Sequence, residues 1–182
     1  PLRNDRLTTV ADGWHMSNYR RLRVPGATWF FTVNLADRGR ATLTDHIDVL
    51  RAAYRVTVAE HPVFCDAMVI MPDHLHAVWT LPEGDADYSI RWRKIKGRFT
   101  HGVRRVGFQP TVPTPSKVAK AEAGVWQRRF WEHLVRDEDE YARAMRYVIG
   151  NPVKHGFVER AENWPYSSVH RDRRAGRIGW AA

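Results

Sequence analysis

The chain has 182 residues, 43% of them hydrophobic and 27% charged, a composition that suits one globular domain and excludes whole-chain disorder. Its 29 Lys and Arg against 20 Asp and Glu give a net charge of +9, which points to a polyanionic partner, nucleic acid ahead of an anionic membrane surface. The single cysteine, Cys65, excludes an internal disulfide and a four-thiolate zinc site and suits a reducing cytoplasm, and no apolar run nears the roughly 20 residues of a membrane span.

Residues 1–15 are polar and aperiodic and precede Met16, the first methionine, so they are expected to form a flexible extension ahead of one domain spanning 16–182. Ala27 to Leu35, rich in β-branched and aromatic residues between Pro25-Gly26 and Asp37-Arg38-Gly39, predicts a strand. Ile47, Leu50, Tyr54 and Val58 then recur at helical spacing, with Thr44 or Asp45 as the cap and an end near Glu60-His61-Pro62. Two apolar runs, Val63 to Met71 and Leu75 to Leu81, flank the short Pro72-Asp73-His74 connection and predict an antiparallel hairpin.

From Tyr88 to Arg105 the stripe Tyr88, Trp92, Ile95 and Phe99 predicts an amphipathic helix whose outer face carries Arg91, Arg93, Lys94, Lys96 and Arg98. Residues 107–124, with Pro110, Pro113 and Pro115, read as a long surface loop. Val125 to Val135 suits a fourth strand. The acidic stretch Asp137 to Glu140 then opens a last helix, expected to stop at Asn151-Pro152 because the residue before proline avoids helical geometry. The order strand, helix, strand, strand, helix, strand, helix predicts an α+β fold, a ferredoxin-like antiparallel sheet with helices on one face and the other face open to a ligand.

Two local patterns can carry chemistry. In a strand, His74 and His76 share a face while Leu75 points the opposite way, so the two imidazoles can converge on one cation. The bland alternative is a pair of hydrogen-bonded histidines on a sheet surface. On the last helix, Tyr147 and Asn151 lie one turn apart on a flank of the buried stripe Tyr141, Ala144, Met145 and Val148. They can act as a nucleophile and a third metal ligand, or equally as a packing tyrosine and a helix-end asparagine. Taken together, the patterns describe tyrosine attack on a phosphodiester with a divalent metal polarising the phosphate.

Arg20, Arg21 and Arg23 ahead of the first strand, Arg91, Lys94, Lys96 and Arg98 on the basic helix, Arg128 and Arg129, and Lys154 are the candidate phosphate contacts. Such residues position DNA without reading its sequence.

Beyond these patterns, the chain resembles the REP-associated tyrosine transposases, a branch of the single-tyrosine HUH transposases, from Met16 to about Arg174. The resemblance rests on Pro72-Asp73-His74-Leu75-His76, Trp79 to Asp85, Arg91 to Lys96, Trp126 to His133, Asn151 to Gly156 and Trp164 to Ser168. It implies the HUH endonuclease/transposase fold, with His74, His76 and Asn151 as ligands of Mg²⁺ or Mn²⁺ and Tyr147 as nucleophile. It further implies a single-stranded DNA endonuclease and strand transferase, acting on hairpin-forming repetitive extragenic palindromes through a 5′-phosphotyrosine intermediate. A bacterial, cytoplasmic, nucleoid-associated protein follows, with no membrane partner and with a homodimer compatible. Two other functions fit the same residues: a non-catalytic DNA hairpin-binding protein on this fold, and a hydrolase in which the metal activates water and Tyr147 only packs.

Overall fold

A computed structural model of the protein describes residues 21–110, 115 and 124–177; the expected 1–15 extension and most of the 107–124 loop lie outside them. The elements run β1 (Thr28–Asn34), α1 (Thr42–Asp45), α2 (Ile47–Glu60), β2 (Phe64–Ile70), β3 (His74–Thr80), α3 (Tyr88–Arg105), β4 (Trp131–Leu134), α4 (Glu138–Lys154), a 3₁₀ turn (Ala161–Asn163) and α5 (Val169–Arg174). The four strands form one antiparallel sheet in the order β2-β3-β1-β4, the α+β, ferredoxin-like arrangement expected from the sequence. No described helix is long and apolar enough to cross a membrane.

Strand alternation divides the interior into two cores. Phe31, Val33, Leu75, Ala77 and Trp79 meet Leu50 and Ala53 of α2 and Tyr88, Trp92, Ile95, Phe99 and Val103 of α3. Trp79 stacks on Trp92 with centroids 4.1 Å apart and planes 8° from parallel, a pair worth about 0.5–1.5 kcal/mol beyond its buried area. The sequence reading left the other face open. Instead α4 lies across part of it, because its stripe of Tyr141, Ala144, Met145 and Val148 needs apolar cover and finds it on Phe30, Ala67, Val69 and Val78. A ligand therefore meets only the part of this face that α4 leaves clear.

Three local expectations are corrected. The helix expected from Thr44-Asp45 is split into α1 and α2, and neither residue caps α2; Thr44 Oγ1 instead donates to the Ala41 carbonyl at 3.0 Å. The strand expected over Val125 to Val135 shrinks to β4, with Trp126 making an isolated bridge to Leu35. The buried Trp126 ring packs on Phe99 and its indole N–H donates to the Lys96 carbonyl at 3.2 Å, so the side chain anchors to α3 while the backbone pairs with the end of β1 and the residues just past it.

The third correction concerns α4, which runs through Pro152 to Lys154 instead of stopping at Asn151. A proline there withholds the N–H that would serve the Val148 carbonyl. Burial of Pro152 and the bonds from His155 N to Asn151 O (3.0 Å) and from Phe157 N to Pro152 O (2.9 Å) offset that loss. At the other end the Asp137 side chain accepts from Glu140 N at 2.7 Å, a cap that starts the helix where the acidic run predicts it.

The outer edge of β2 is covered by the segment leading into α5. Ile70 N donates to Tyr166 O (2.9 Å), Ser168 N donates to Met68 O (2.8 Å), and the Arg171 guanidinium reaches the Cys65 and Asp66 carbonyls at 2.8 and 2.9 Å. This blunts an edge that would otherwise offer unpaired backbone groups.

The α2/α3 contact is close at Gly102, where an added Cβ would sit 2.5 Å from Val49 Cγ1. Gly102→Ala is expected to lower unfolding stability by about 1–3 kcal/mol, whereas Gly97→Ala, which opens onto free space, is expected to hold or raise it. Urea unfolding of both variants checks this, and an unchanged Gly102→Ala midpoint contradicts the packing.

Candidate active site

The site grows out of the β3 alternation. His74 and His76 turn toward the α4 face, 6% and 3% exposed, while Leu75 enters the opposite core. Their ring centroids are 4.9 Å apart at 78°. His74 Nδ1 lies 2.6 Å from Asp73 Oδ1, and the other Asp73 oxygen accepts from Arg38 Nε at 2.8 Å. Burial pushes the Asp73 carboxyl up, but hydrogen bonds from His74 and Arg38 outweigh it and hold the group below its ordinary range. His76 Nδ1 rests 2.9 Å from Thr32 Oγ1. With each Nδ1–H donating, each Nε2 keeps its lone pair, the orientation in which imidazoles bind metals. Burial, reinforced by His74 and His155, lowers the His76 imidazole to about 3, so it is neutral and able to donate that lone pair.

Across from the pair, α4 brings Tyr147 and Asn151 to the same place. The Tyr147 ring sits edge-on to His76 at 5.1 Å and to Phe30 at 5.6 Å. Burial raises the Tyr147 hydroxyl above its ordinary range; the neighbouring Asn151 amide works against that push, although the two fall short of hydrogen-bond geometry. Asn151 is fully buried, and among the described residues neither its Oδ1 nor its Nδ2 has a hydrogen-bond partner. Leaving one buried polar atom unpaired costs about 1–3 kcal/mol, so this amide is where a partner is needed. The two imidazoles and an orphaned amide oxygen fit a divalent cation. Among the described residues no three His, Cys, Asp or Glu side chains form such a group.

Sequence reasoning missed the groups that orient these residues. Asp73 and Thr32 hold the two imidazoles; Asp73 is legible, being next to His74 in the same motif, whereas Thr32 is opposed to His76 only through the β1–β3 register. His155, exposed at the end of α4, comes within 5.6 Å of the His74 ring, where burial and the neighbouring His74 hold its imidazole below the ordinary range.

The ten candidate phosphate contacts do not form one surface. Arg20 lies outside the described residues. Lys154 stands beside the site, with Nζ 5.0 Å over the Tyr147 ring. Arg21, Arg23, Lys96 and Arg128 gather with Arg93 around a cleft of about 430 Å³ at the first turn of α3, next to Phe130, which belongs to the core opposite Tyr147. There Arg21 also pairs with the buried Glu132 at 3.0 Å. Burial, and secondarily Arg21, lowers the Lys96 ammonium to about 8. Arg129 is exposed. Lys94 and Arg98 both clamp Glu60 across α2 and α3, at 2.7 and 2.5 Å.

Arg91 is the clear correction. Expected on the basic outer face, it is 1% exposed and bonds to Asp85 and to the carbonyls of His61, Pro62 and Asp87. Its guanidinium is consumed in tying the α2 exit to the start of α3 and cannot reach a phosphate.

An antiparallel ferredoxin-like sheet that presents a His-x-His pair to a tyrosine on a facing helix has the architecture of the HUH transposases. No family model matches the chain. It is 42% identical over 168 residues to the REP-associated tyrosine transposase of Escherichia coli (strain K12), covering 91% of this chain and 92% of that protein. A Haemophilus influenzae relative bearing the same family name is 44% identical over 160 residues, or 88% and 89% of the two chains. A solved structure, described as the REP-associated tyrosine transposase bound to a REP hairpin, superposes with a TM-score of 0.78 at 41% identity over 92% of both chains. The chain belongs to the REP-associated tyrosine transposases.

Removing the Arg91 side chain takes the guanidinium away from Asp85, which keeps its bond from Asp87 N, and from the carbonyls of His61, Pro62 and Asp87. Arg91→Ala is expected to lower stability by about 3 kcal/mol or more, and the exposed Arg93→Ala by less than about 0.5 kcal/mol. Equal, small losses in urea unfolding would show that the Arg91 network contributes nothing.

Proposed function

We propose that the protein is a metal-dependent, single-stranded DNA endonuclease and strand transferase acting on hairpin-forming repetitive extragenic palindromes. The observation that carries this reading is the Asn151 amide, fully buried and without a hydrogen-bond partner among the described residues, beside the two imidazoles and Tyr147. The hairpin-bound relative, aligned over 92% of this chain, supports hairpin DNA as the partner.

His74, His76 and Asn151 would hold a Mg²⁺ or Mn²⁺ ion, which when bound supplies Lewis-acid polarisation of the scissile phosphate and neutralises developing charge. Tyr147 Oη attacks phosphorus, the P–O3′ bond breaks, and the upstream segment leaves with a free 3′-hydroxyl while the 5′-phosphate of the downstream segment stays on the tyrosine. The tyrosine proton departs to solvent, and the leaving oxygen takes up a proton. One phosphodiester bond replaces another, so rejoining needs no nucleotide energy source: a 3′-hydroxyl attacks the phosphotyrosine and releases Tyr147. Asp73 and Thr32 position the imidazoles and so act indirectly. Lys154, its ammonium over the Tyr147 ring, adds positive charge on the side from which a phosphate approaches.

The test incubates wild type, Tyr147→Phe, Asn151→Ala and Asp73→Asn with end-labelled single-stranded hairpins from the palindromic repeats plus Mn²⁺ or Mg²⁺, resolved on denaturing gels. Wild type is expected to give a covalent protein–DNA band. Tyr147→Phe removes the band, Asn151→Ala all but removes it, and Asp73→Asn slows its formation by about 10–100-fold. Cleavage that survives Tyr147→Phe without an adduct would assign attack to water. Tight binding with no cleavage in wild type would leave a hairpin-binding protein.

A further inference from the structure

Behind the histidine pair stands a cation that the chemistry above does not use. Arg38 lies on the loop after β1, and that loop is fastened to the Pro72-Asp73 turn by bonds from Leu35 N to Asp73 O (2.9 Å) and from Leu43 N to Pro72 O (3.0 Å). Its Nε donates to Asp73 Oδ2 at 2.8 Å, while the other oxygen of that carboxylate holds His74 Nδ1 at 2.6 Å. The Arg38 side chain nevertheless stays 37% exposed, against 15% for Asp73. Among the described residues its Nη1 and Nη2 have no hydrogen-bond or ion-pair partner. A guanidinium offers its terminal nitrogens as a planar fork that matches phosphate oxygens. Here Nε is committed to the site and the fork is left over.

Charge and position decide what the fork takes. None of the donors His74, His76 and Asn151 is anionic, and Asp73, the carboxylate that touches His74, is matched by Arg38. Lys154 adds a further cation over Tyr147, so the site suits more than the single charge of one phosphodiester. The Arg38 charge reaches it: after burial and the neighbouring His74, Lys154 and Arg38 also lower the His155 imidazole. These groups stand in a row. Tyr147 and His76 have ring centroids 5.1 Å apart and His76 and His74 4.9 Å apart, followed by Asp73 and then Arg38. Displacement at phosphorus runs in line, so the O3′ that breaks away points away from Tyr147, toward the Arg38 end of the row. With the His74 ring and the Asp73 carboxylate interposed, Arg38 meets a neighbouring phosphate rather than the scissile one.

We propose that the outer edge of Arg38 binds a phosphate of the upstream segment, the one that ends in the leaving O3′, within two linkages of the cut. The inference rests on Tyr147 being the nucleophile. It gives Arg38 two tasks, orienting Asp73 through Nε and holding DNA through Nη1 and Nη2. A segment held there keeps its 3′-hydroxyl beside the phosphotyrosine, where rejoining needs it. The contact is to backbone, so it carries no base preference.

The test uses the full chain carrying Tyr147→Phe, which cannot react. Binding to hairpin strands is measured in EDTA by fluorescence anisotropy, with one phosphate at a time replaced by a neutral methylphosphonate across three linkages on either side of the cut mapped with wild type. One upstream replacement is expected to weaken binding roughly tenfold or more. Adding Arg38→Ala is expected to weaken the unmodified strand by the same factor, with no further loss on that modified strand, and Arg38→Lys to recover part of the affinity. Arg38→Gln, which keeps a donor for Asp73 without the charge, gives the same pattern and serves if Arg38→Ala does not fold. Mn²⁺ affinity without DNA is read on the same variants by electron paramagnetic resonance. An Arg38 that only holds Asp73 would lower Mn²⁺ affinity and leave the metal-free DNA binding unchanged, which overturns the proposal. Losses that add at every linkage overturn it too, as does an Arg38-dependent phosphate downstream of the cut or more than two linkages upstream. If wild type forms no adduct, the nucleophile reading fails instead; a scan of the whole strand then shows whether any phosphate depends on Arg38, and none doing so overturns the contact.

Discussion

Everything at the site depends on the register of β3 against β1. With Thr32 opposite His76 and Asn34 opposite His74, the even-numbered residues of β3 face α4 and the odd-numbered ones face α2 and α3. A slip of one residue would send both imidazoles into the core against α2 and α3 and turn Leu75, Ala77 and Trp79 toward α4. That slip is opposed by a heavily aromatic interface in which Phe31, Tyr88 and Phe130 surround the stacked Trp pair. The bulky core on one face thus holds the chemistry in place on the other.

The second determinant is α4. It combines an apolar stripe that must sit on the sheet with a polar flank that ends up over the histidines. Running on through Pro152 keeps Asn151 within the helix, one turn after Tyr147, and buries the amide where it has no hydrogen-bond partner among the described residues. A helix ending at Asn151, as the proline alone suggests, would leave that side chain at a frayed terminus. The missing Val148 hydrogen bond and the unpaired amide are both costs to stability, and both lie at the place where Tyr147 meets the imidazoles.

The features read correctly from sequence are those set by short-range periodicity. Alternation puts His74 and His76 on one face, and a 3.6-residue period puts Tyr147 near Asn151; neither depends on distant residues. The elements from β2 through α3 follow for the same reason. What the sequence hid depends on long-range partners. Arg91 reads as surface because it is charged, yet the carbonyls of His61 and Pro62, some thirty residues away, supply acceptors that let it be buried. Trp126 reads as strand by propensity, but its ring and indole N–H are claimed by α3. The basic residues, counted together in the sequence, separate across two faces of the sheet, with Lys154 at the candidate site and an arginine-lined cleft on the far side.

The central claim is that His74, His76 and Asn151 make one cation site next to Tyr147. Its most direct test is the anomalous difference density of crystals soaked in Mn²⁺. A single peak bonded to the Nε2 atoms of both histidines and to Asn151 Oδ1 is the predicted result. A peak that leaves the Asn151 amide unliganded, or no peak at the histidine pair at saturating Mn²⁺, would contradict it.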